Sequence, residues 1–366
     1  MGALFDASRG GQRKKIAVER RRISRLAFAV RPRSNAANRG RSMSVVVDTA
    51  GPKLVSIPAN PVPETARVGY FKTSDNIRLR YATWQRATPE LRGTICLVQG
   101  RTEYIEKYFE TIEDFRKRGF AVATFDWRGQ GGSDRLIGNP HLGYVDKFED
   151  YWTDLKSFYS QILLPDCPPP FYLVGHSMGG LASLFAATKD RMMFERVFLS
   201  APMVALDRQP MSMKNMARLA ETISFIGLGK MPIGRKTDQP PSEKTFPNNP
   251  LTGDKSRYLR AIETIRANPE LEIGSPTVRW VASAMGAMSE ASHPDFARRI
   301  QLPILIMAAA RDQIVSSAAT EQLGLHLRTG RHQVVPAAQH ELFMETNAIR
   351  EQVFAAFDAF ITQQTS

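Results

Sequence analysis

The sequence predicts an α/β fold: a mostly parallel sheet flanked by helices, with a helical segment inserted before the last strands. Three observations carry that expectation. Short apolar runs alternate with amphipathic helical patterns, which is how a parallel sheet covered on both faces reads. The alternation breaks after Pro202 and resumes at Leu302, and the residues between read as helices. One run, Phe171-Tyr172-Leu173-Val174, passes through Gly175-His176-Ser177-Met178-Gly179 into a helical pattern over 181–187. Strand, sharp turn and helix around Gly-x-Ser-x-Gly form the context that gives a serine nucleophilic use: the turn is strained, and its flanking residues must be small. Gly175 and Gly179 meet that need, and Gly180 allows close packing of helix on sheet.

In chain order, residues 1–42 hold twelve Lys and Arg against Asp6 and Glu19, a net of +10 that leaves only +3 of the chain's +13 for everything after. The body therefore offers no charge argument for nucleic acid as a partner. The leader's apolar patch, 26–30, is too short for a secretory signal, and no apolar run nears the ~20 residues that span a bilayer. The leader reads as disordered, or as an over-extended start with Met43 as the initiator. A transit peptide has similar composition, and a basic arm also suits peripheral contact with an anionic membrane, at about 1 kcal/mol per basic residue. Cys96 and Cys167 are the two cysteines. They provide no disulfide framework, so a reducing, cytoplasmic setting is the simplest fit.

Pro58, Pro61 and Pro63 mark an extended linker, with the folded body expected from residue 64. Strands over 67–72 and 77–84, joined by Ser74-Asp75-Asn76, read as a hairpin at a sheet edge. An apolar strand over 94–100 precedes a helix over 102–118 with Tyr104, Tyr108, Phe109, Ile112 and Phe115 at helical spacing. Strand 120–127 runs into the glycine-rich loop Arg128–Asp134. That loop lacks the Lys-Ser/Thr ending and the spacing of phosphate-cradling motifs. A helix over 147–163, the serine strand and a strand over 196–202 follow. Helices over 213–226, 255–267 and 275–288 fill the insertion, the last expected to start at Ser275-Pro276 as hydroxyl cap and first-turn proline. Seven of the fourteen methionines fall here, including Met213, Met216 and Met285. Flexible thioether side chains suit ligands of variable shape, such as acyl chains. Strand 302–310, helix 317–327, strand 332–336 and an amphipathic helix over 347–363 close the chain. The domain reading is thus a leader and linker over 1–63, a core over 64–202 and 303–366, and a helical cap over 203–302.

A serine hydroxyl needs a base that a third group orients. Asp312 follows strand 302–310, and His340 follows strand 332–336, so Ser177, Asp312 and His340 stand in the order nucleophile, acid, base beyond strand ends. His176 lies inside the turn, His141, His293 and His326 lie in the wrong elements, and His332 opens a strand. Asp295 and Glu341 are the competing acids, and Asp126 and Asp134 read as structural. Two backbone N–H groups are expected to face the oxyanion: that of Met178, after the nucleophile, and that of Arg101, after strand 94–100. Lys255, Arg257, Arg260 and Arg266 form a basic helix that suits a lipid phosphate, and Trp280, Met213, Met216 and Met285 are candidate acyl-chain contacts.

From about residue 64 onward the chain resembles the α/β-hydrolase superfamily, and within it the lysophospholipase L2 and monoacylglycerol lipase group, serine aminopeptidase S33-like hydrolases. The stretches that carry this are Gln99-Gly100-Arg101-Thr102-Glu103-Tyr104, Asp126-Trp127-Arg128-Gly129-Gln130-Gly131, Gly175–Gly180, Asp312 and His340-Glu341. Asn249-Pro250-Leu251-Thr252, Arg257-Tyr258 and Pro276-Thr277-Val278-Arg279-Trp280 look most like lysophospholipase L2. Many monoacylglycerol lipases have His-Gly where this chain has Gln99-Gly100. The resemblance implies cofactor-independent, metal-free hydrolysis of a single-chain acyl ester, and leaves the headgroup open. A monoacylglycerol lipase or general carboxylesterase is the alternative. A peptidase or a non-catalytic binding protein on the same fold stands further off.

Overall fold

The computed structural model describes residues 51–234 and 240–362. The basic leader, Met43 and Gln363 lie outside the described residues. Eight strands form one sheet in the order β1-β2-β4-β3-β5-β6-β7-β8. They are β1 (Arg67–Lys72), β2 (Arg78–Trp84), β3 (Thr94–Val98), β4 (Ala121–Phe125), β5 (Phe171–His176), β6 (Arg196–Ser200), β7 (Ile304–Ala309) and β8 (Gly330–Val335). β1 and β2 pair antiparallel, and β2 meets β4 antiparallel. Every other pairing is parallel. This is the α/β-hydrolase architecture.

The apolar runs form strands because both faces of the sheet are covered. β3 is buried throughout, and its alternate residues serve two cores. Cys96 and Val98 join Leu173, Leu181, Phe185 and Phe296 on one face, where the helix Ser177–Lys189 lies. Ile95 and Leu97 join Phe109, Phe115, Phe354 and Phe357 on the other, under the helices Phe109–Lys117 and Asn347–Thr362. The chain winds outward from β3 to β4, then returns to place β5 on the opposite side of β3. Such a reversal opens a crevice beyond the carboxyl ends of the two central strands, which is where ligands bind open α/β sheets.

Several elements depart from expectation for identifiable reasons. The helix expected over 102–118 begins as a 3-10 turn at Ile105–Tyr108 and becomes α-helical at Phe109. Before it, Thr102 sits at φ +67° and Tyr104 is extended, because this stretch forms a tight turn rather than a first helical turn. The helix expected to begin at Ser275-Pro276 is Val278–Ala291, and its cap is Thr277, whose hydroxyl accepts the Trp280 N–H. Ser275 and Pro276 are held instead in an extended bridge to Gly143. The Pro-rich stretch is extended but fastened to the body. Asn60 is buried and donates to the Glu106 carbonyl, Val55 N–H donates to the Glu106 carboxylate, and Arg80 reaches the Lys53 carbonyl. Folded structure therefore begins ahead of Glu64. A short helix, Pro294–Arg298, was not expected. The helix expected over 213–226 runs from Met213 to Ile223 and loosens into a wider turn through Gly227 at φ +89°. Among the described residues no helix is long and apolar enough to cross a membrane. Cys96 and Cys167 are free and buried.

Candidate active site

β5 ends at His176 and the helix begins at Ser177, whose φ of +51° places a non-glycine residue in the left-handed region. That conformation costs about 1–3 kcal/mol and is sustained by close backbone packing around it. A Cβ on Gly175 would stand 2.5 Å from Ser183 Oγ, and one on Gly179 would stand 2.4 Å from the Gln99 carbonyl oxygen. No side chain fits at either position, which is why the turn reads Gly-x-Ser-x-Gly.

Ser177, Asp312 and His340 converge at the carboxyl ends of β5, β7 and β8. His340 Nε2 lies 3.0 Å from Ser177 Oγ, and its Nδ1 lies 2.8 Å from Asp312 Oδ2. The other Asp312 oxygen accepts the N–H groups of Ile314 and Val315 at 2.8 and 2.9 Å. Burial opposes the Asp312 charge, but the bonds from His340 and these two N–H groups outweigh it and hold the carboxyl below its ordinary range. A carboxylate so fixed keeps the facing imidazole nitrogen protonated and the other free to accept. The array can therefore take a proton from the Ser177 hydroxyl and return it to a leaving group.

The loop after β3 lies against the nucleophile: a Cβ on Gly100 would stand 3.2 Å from Ser177 Cβ. Its orientation is fixed from two sides. Glu103 Oε2 accepts the Gly100 N–H at 2.5 Å, and Gln130 Nε2 donates to the carbonyls of Gly100 and Glu103 at 2.9 and 3.0 Å. In a trans peptide, C=O and the following N–H point in opposite directions. Holding the Gly100 carbonyl thus turns the Arg101 N–H the other way. Met178 is the second residue of its helix, so its N–H has no intrahelical acceptor.

Behind His340 sits a buried charge cluster that the sequence did not announce. Lys107 Nζ bridges Glu103 and Glu341 at 2.8 and 2.6 Å, and Tyr108 donates to Glu103. Burial alone would raise the Glu103 pKa, yet Lys107 and His176 bring it down to about 2, while burial pushes Glu341 up. The His176 ring stands 4.9 Å from that of His340, with Nδ1 3.0 Å from the Ser200 carbonyl. Burial holds His176 down at about 4, so it is neutral at pH 7. The only hints in the sequence were the Glu103/Lys107 spacing and the placement of Glu341 beside His340.

A family model described as serine aminopeptidase, S33, matches residues 89–347, a span that contains every one of these groups. The chain belongs to this family. Lysophospholipase L2 of Escherichia coli K12 is 30% identical, with 81% of this chain and 87% of that protein covered. Probable lysophospholipase L2 of Haemophilus influenzae is 28% identical over 81% of this chain and 92% of its own. In three dimensions the chain is similar to a soluble variant of monoglyceride lipase from Saccharomyces cerevisiae, with a TM-score of 0.64 at 19% identity, covering 82% and 96% of the two chains. This S33-family chain is a carboxylic ester hydrolase with the α/β-hydrolase fold.

The remaining candidates divide. Trp280 and Met285 are buried, and Met213 and Met216 are half-buried, all against the apolar cluster that contains Met178. Trp280 Nε1 donates to the Tyr151 hydroxyl. The basic helix does not present free cations at each position expected. Arg257 is bound by Glu110, Asp254 and Asn347, Arg260 by Glu110, and Arg266 by the Ser242 carbonyl. The glycine-rich loop is closed on its own carboxylate, since a Cβ on Gly131 would stand 2.2 Å from Asp126 Cγ. Asp126 also pairs with Arg80, and Asp134 with Arg78. Asp295 is an exposed partner of Arg298.

Proposed function

We propose that this chain is a lysophospholipase: a serine hydrolase that releases the fatty acid from a single-chain glycerolipid. The observation that carries the reading is the unbroken series from Ser177 Oγ through His340 to Asp312, at 3.0 and 2.8 Å. Ser177 attacks the acyl carbonyl while His340 Nε2 takes its proton. The oxyanion forms against the N–H groups of Arg101 and Met178. His340 then protonates the leaving glycerol oxygen, and the acyl group remains on Ser177. Water, deprotonated by the same nitrogen, attacks the acyl-enzyme and frees the fatty acid. Each step uses groups of this chain and water, with no cofactor.

Residues 203–302 serve in this reading as a cap, with the acyl chain lying along Met213, Met216, Trp280 and Met285. The cap also supports a membrane-borne substrate. Phe225 is 91% exposed, and Ile226, Leu228, Met231 and Ile233 are also exposed, with Lys230 nearby. An exposed apolar patch of this kind suits peripheral contact with a lipid surface. Two buried thiols fit a cytoplasmic setting.

A monoacylglycerol lipase would use the same steps with an uncharged leaving alcohol. A hydrolysis panel of lysophosphatidylcholine, lysophosphatidylethanolamine, monoacylglycerol and an aminoacyl-peptide, all at matched concentration, separates the readings. Preferential release of fatty acid from the lysophospholipids is expected. Exclusive peptide cleavage would overturn the proposal.

A further inference from the structure

Five arginines are buried among the described residues, and each meets a carboxylate: Arg80 with Glu106, Arg116 with Glu113, Arg128 with Asp154, Arg257 with Glu110 and Arg350 with Asp114. That is the usual condition for a cation withdrawn from water, because an unpaired one costs several kcal/mol. Arg101 is half-buried as a residue and has no such pairing. Its guanidinium is desolvated enough to lower its pKa to about 10, yet no carboxylate lies within ion-pair distance among the described residues. Nη1 donates to the Gly274 carbonyl at 2.9 Å, and the guanidinium carbon stands 5.3 Å from the centre of the Trp280 ring. A Cβ on Gly143 would come within 3.1 Å of the same Nη1. The absence of a side chain at Gly143 leaves room for the group to lie there.

Arg135 also lacks an acidic partner and donates to a backbone carbonyl, that of Glu270. What distinguishes Arg101 is its starting point. Its backbone follows Gly100, which lies against Ser177, and its side chain runs from there to the cap residues Gly274 and Trp280. In a lysophospholipid the phosphate is separated from the sn-1 ester carbonyl by the glycerol backbone, a span comparable with an arginine side chain. A guanidinium has five N–H donors in a planar fork that matches phosphate oxygens, and the Gly274 carbonyl occupies one.

We propose that Arg101 recognises the headgroup: its guanidinium binds the phosphate of a lysophospholipid whose ester carbonyl lies at Ser177. This rests on the glycerolipid reading above and assigns the charge selectivity of the same site. The role expected of the helix containing Arg257 and Arg260 falls to Arg101 instead, since Glu110 already holds those two. One residue then serves both ends of the substrate, its N–H at the oxyanion and its side chain at the phosphate.

The test is isothermal titration of full-length Ser177→Ala protein with three probes: a short-chain, monomeric lysophosphatidylcholine, the monoacylglycerol of the same chain, and inorganic phosphate. The readout is the ratio of the two lipid affinities, because loss of packing at Arg101 would weaken both lipids together. Arg101→Met in this background should reduce the preference for the lysophospholipid by about 10-fold or more, the size of a charge-assisted hydrogen-bonded pair. Arg101→Lys should fall between, keeping the charge without the fork. An unchanged ratio, with both lipids weakened equally or neither weakened, overturns the assignment and leaves Arg101 a strut between loop and cap. Arg101-dependent binding of inorganic phosphate without lipid discrimination overturns the headgroup role as well. Failure of either lipid to bind the Ser177→Ala protein would sink the glycerolipid reading itself, and this proposal with it.

Discussion

Gln130 donates its side-chain amide to the Gly100 carbonyl at 2.9 Å, and so sets the direction of the N–H that follows it. The amide assignment is fixed by its surroundings, since the same nitrogen faces a second carbonyl, that of Glu103. Replacing Gln130 by Glu would put an acceptor against two acceptors and release the peptide. Loss of an oxyanion donor typically costs ~10²–10³ in kcat, and a misdirected one should cost about 10–100-fold. Steady-state kinetics on a soluble p-nitrophenyl ester should show a fall in kcat with little change in KM. A rise in KM alone would contradict the positioning role.

His176 predicts a pH dependence of stability. Its folded pKa of about 4 lies below the unfolded value near 6.5, so between these values the unfolded chain binds the extra proton. Stability contributed by neutral His176 is complete above pH 6.5 and is lost as pH falls towards 4. Glu103 acts in a lower window: its stabilisation is present above the ordinary carboxylate range and is lost as pH falls towards 2. Urea unfolding at pH 7 and pH 4.5 should therefore lose about 2–3 kcal/mol more in the parent than in His176→Asn. Parallel losses would remove His176 from the account.

Arg257 should govern stability rather than substrate choice. Its guanidinium holds Glu110, Asp254, Asn347 and the Glu345 carbonyl together. Removing one partner of a fully buried pair costs about 3–5 kcal/mol. Glu110 is 29% exposed and keeps Arg260, so about 2 kcal/mol is expected for Arg257→Met. Chemical denaturation measures it, and an unchanged lysophospholipid-to-monoacylglycerol ratio should accompany the loss.

The triad candidates were legible because each depends on a short stretch of chain. The Gly-x-Ser-x-Gly turn is local, and Asp312 is oriented by the N–H groups of residues only two and three positions ahead. Strand positions were legible for the same reason, since a buried parallel strand is a contiguous apolar run. What escaped depends on distant partners. Lys107 meets Glu341 across 234 residues and Arg257 meets Glu110 across 147, so their spacing in sequence carries no sign of pairing. Ser275 and Thr277 both look like caps, and the bridge from Gly143 decides between them. The stretch before Glu64 read as a linker because its anchors, Arg80 and Glu106, come later in the chain.

The exposed apolar stretch around Phe225 should carry membrane contact. Phe225→Ser with Ile226→Ser removes two largely exposed apolar side chains, at 91% and 65% exposure. Sedimentation with anionic phosphatidylglycerol vesicles should drop several-fold, while hydrolysis of a soluble short-chain ester stays at the parent rate. Undiminished vesicle binding would assign the contact elsewhere.

The central claim is that Ser177 is the nucleophile of an acyl-enzyme reaction. Its most direct test is a fluorophosphonate probe followed by peptide mass spectrometry, with fatty-acid release from lysophosphatidylcholine measured on Ser177→Ala. The probe should label Ser177, and the variant should lose about 10⁶ in kcat, as serine hydrolases do when the nucleophile is removed, with an unchanged circular dichroism spectrum. Labelling at another residue, or a folded Ser177→Ala protein with near-parent turnover, would contradict it.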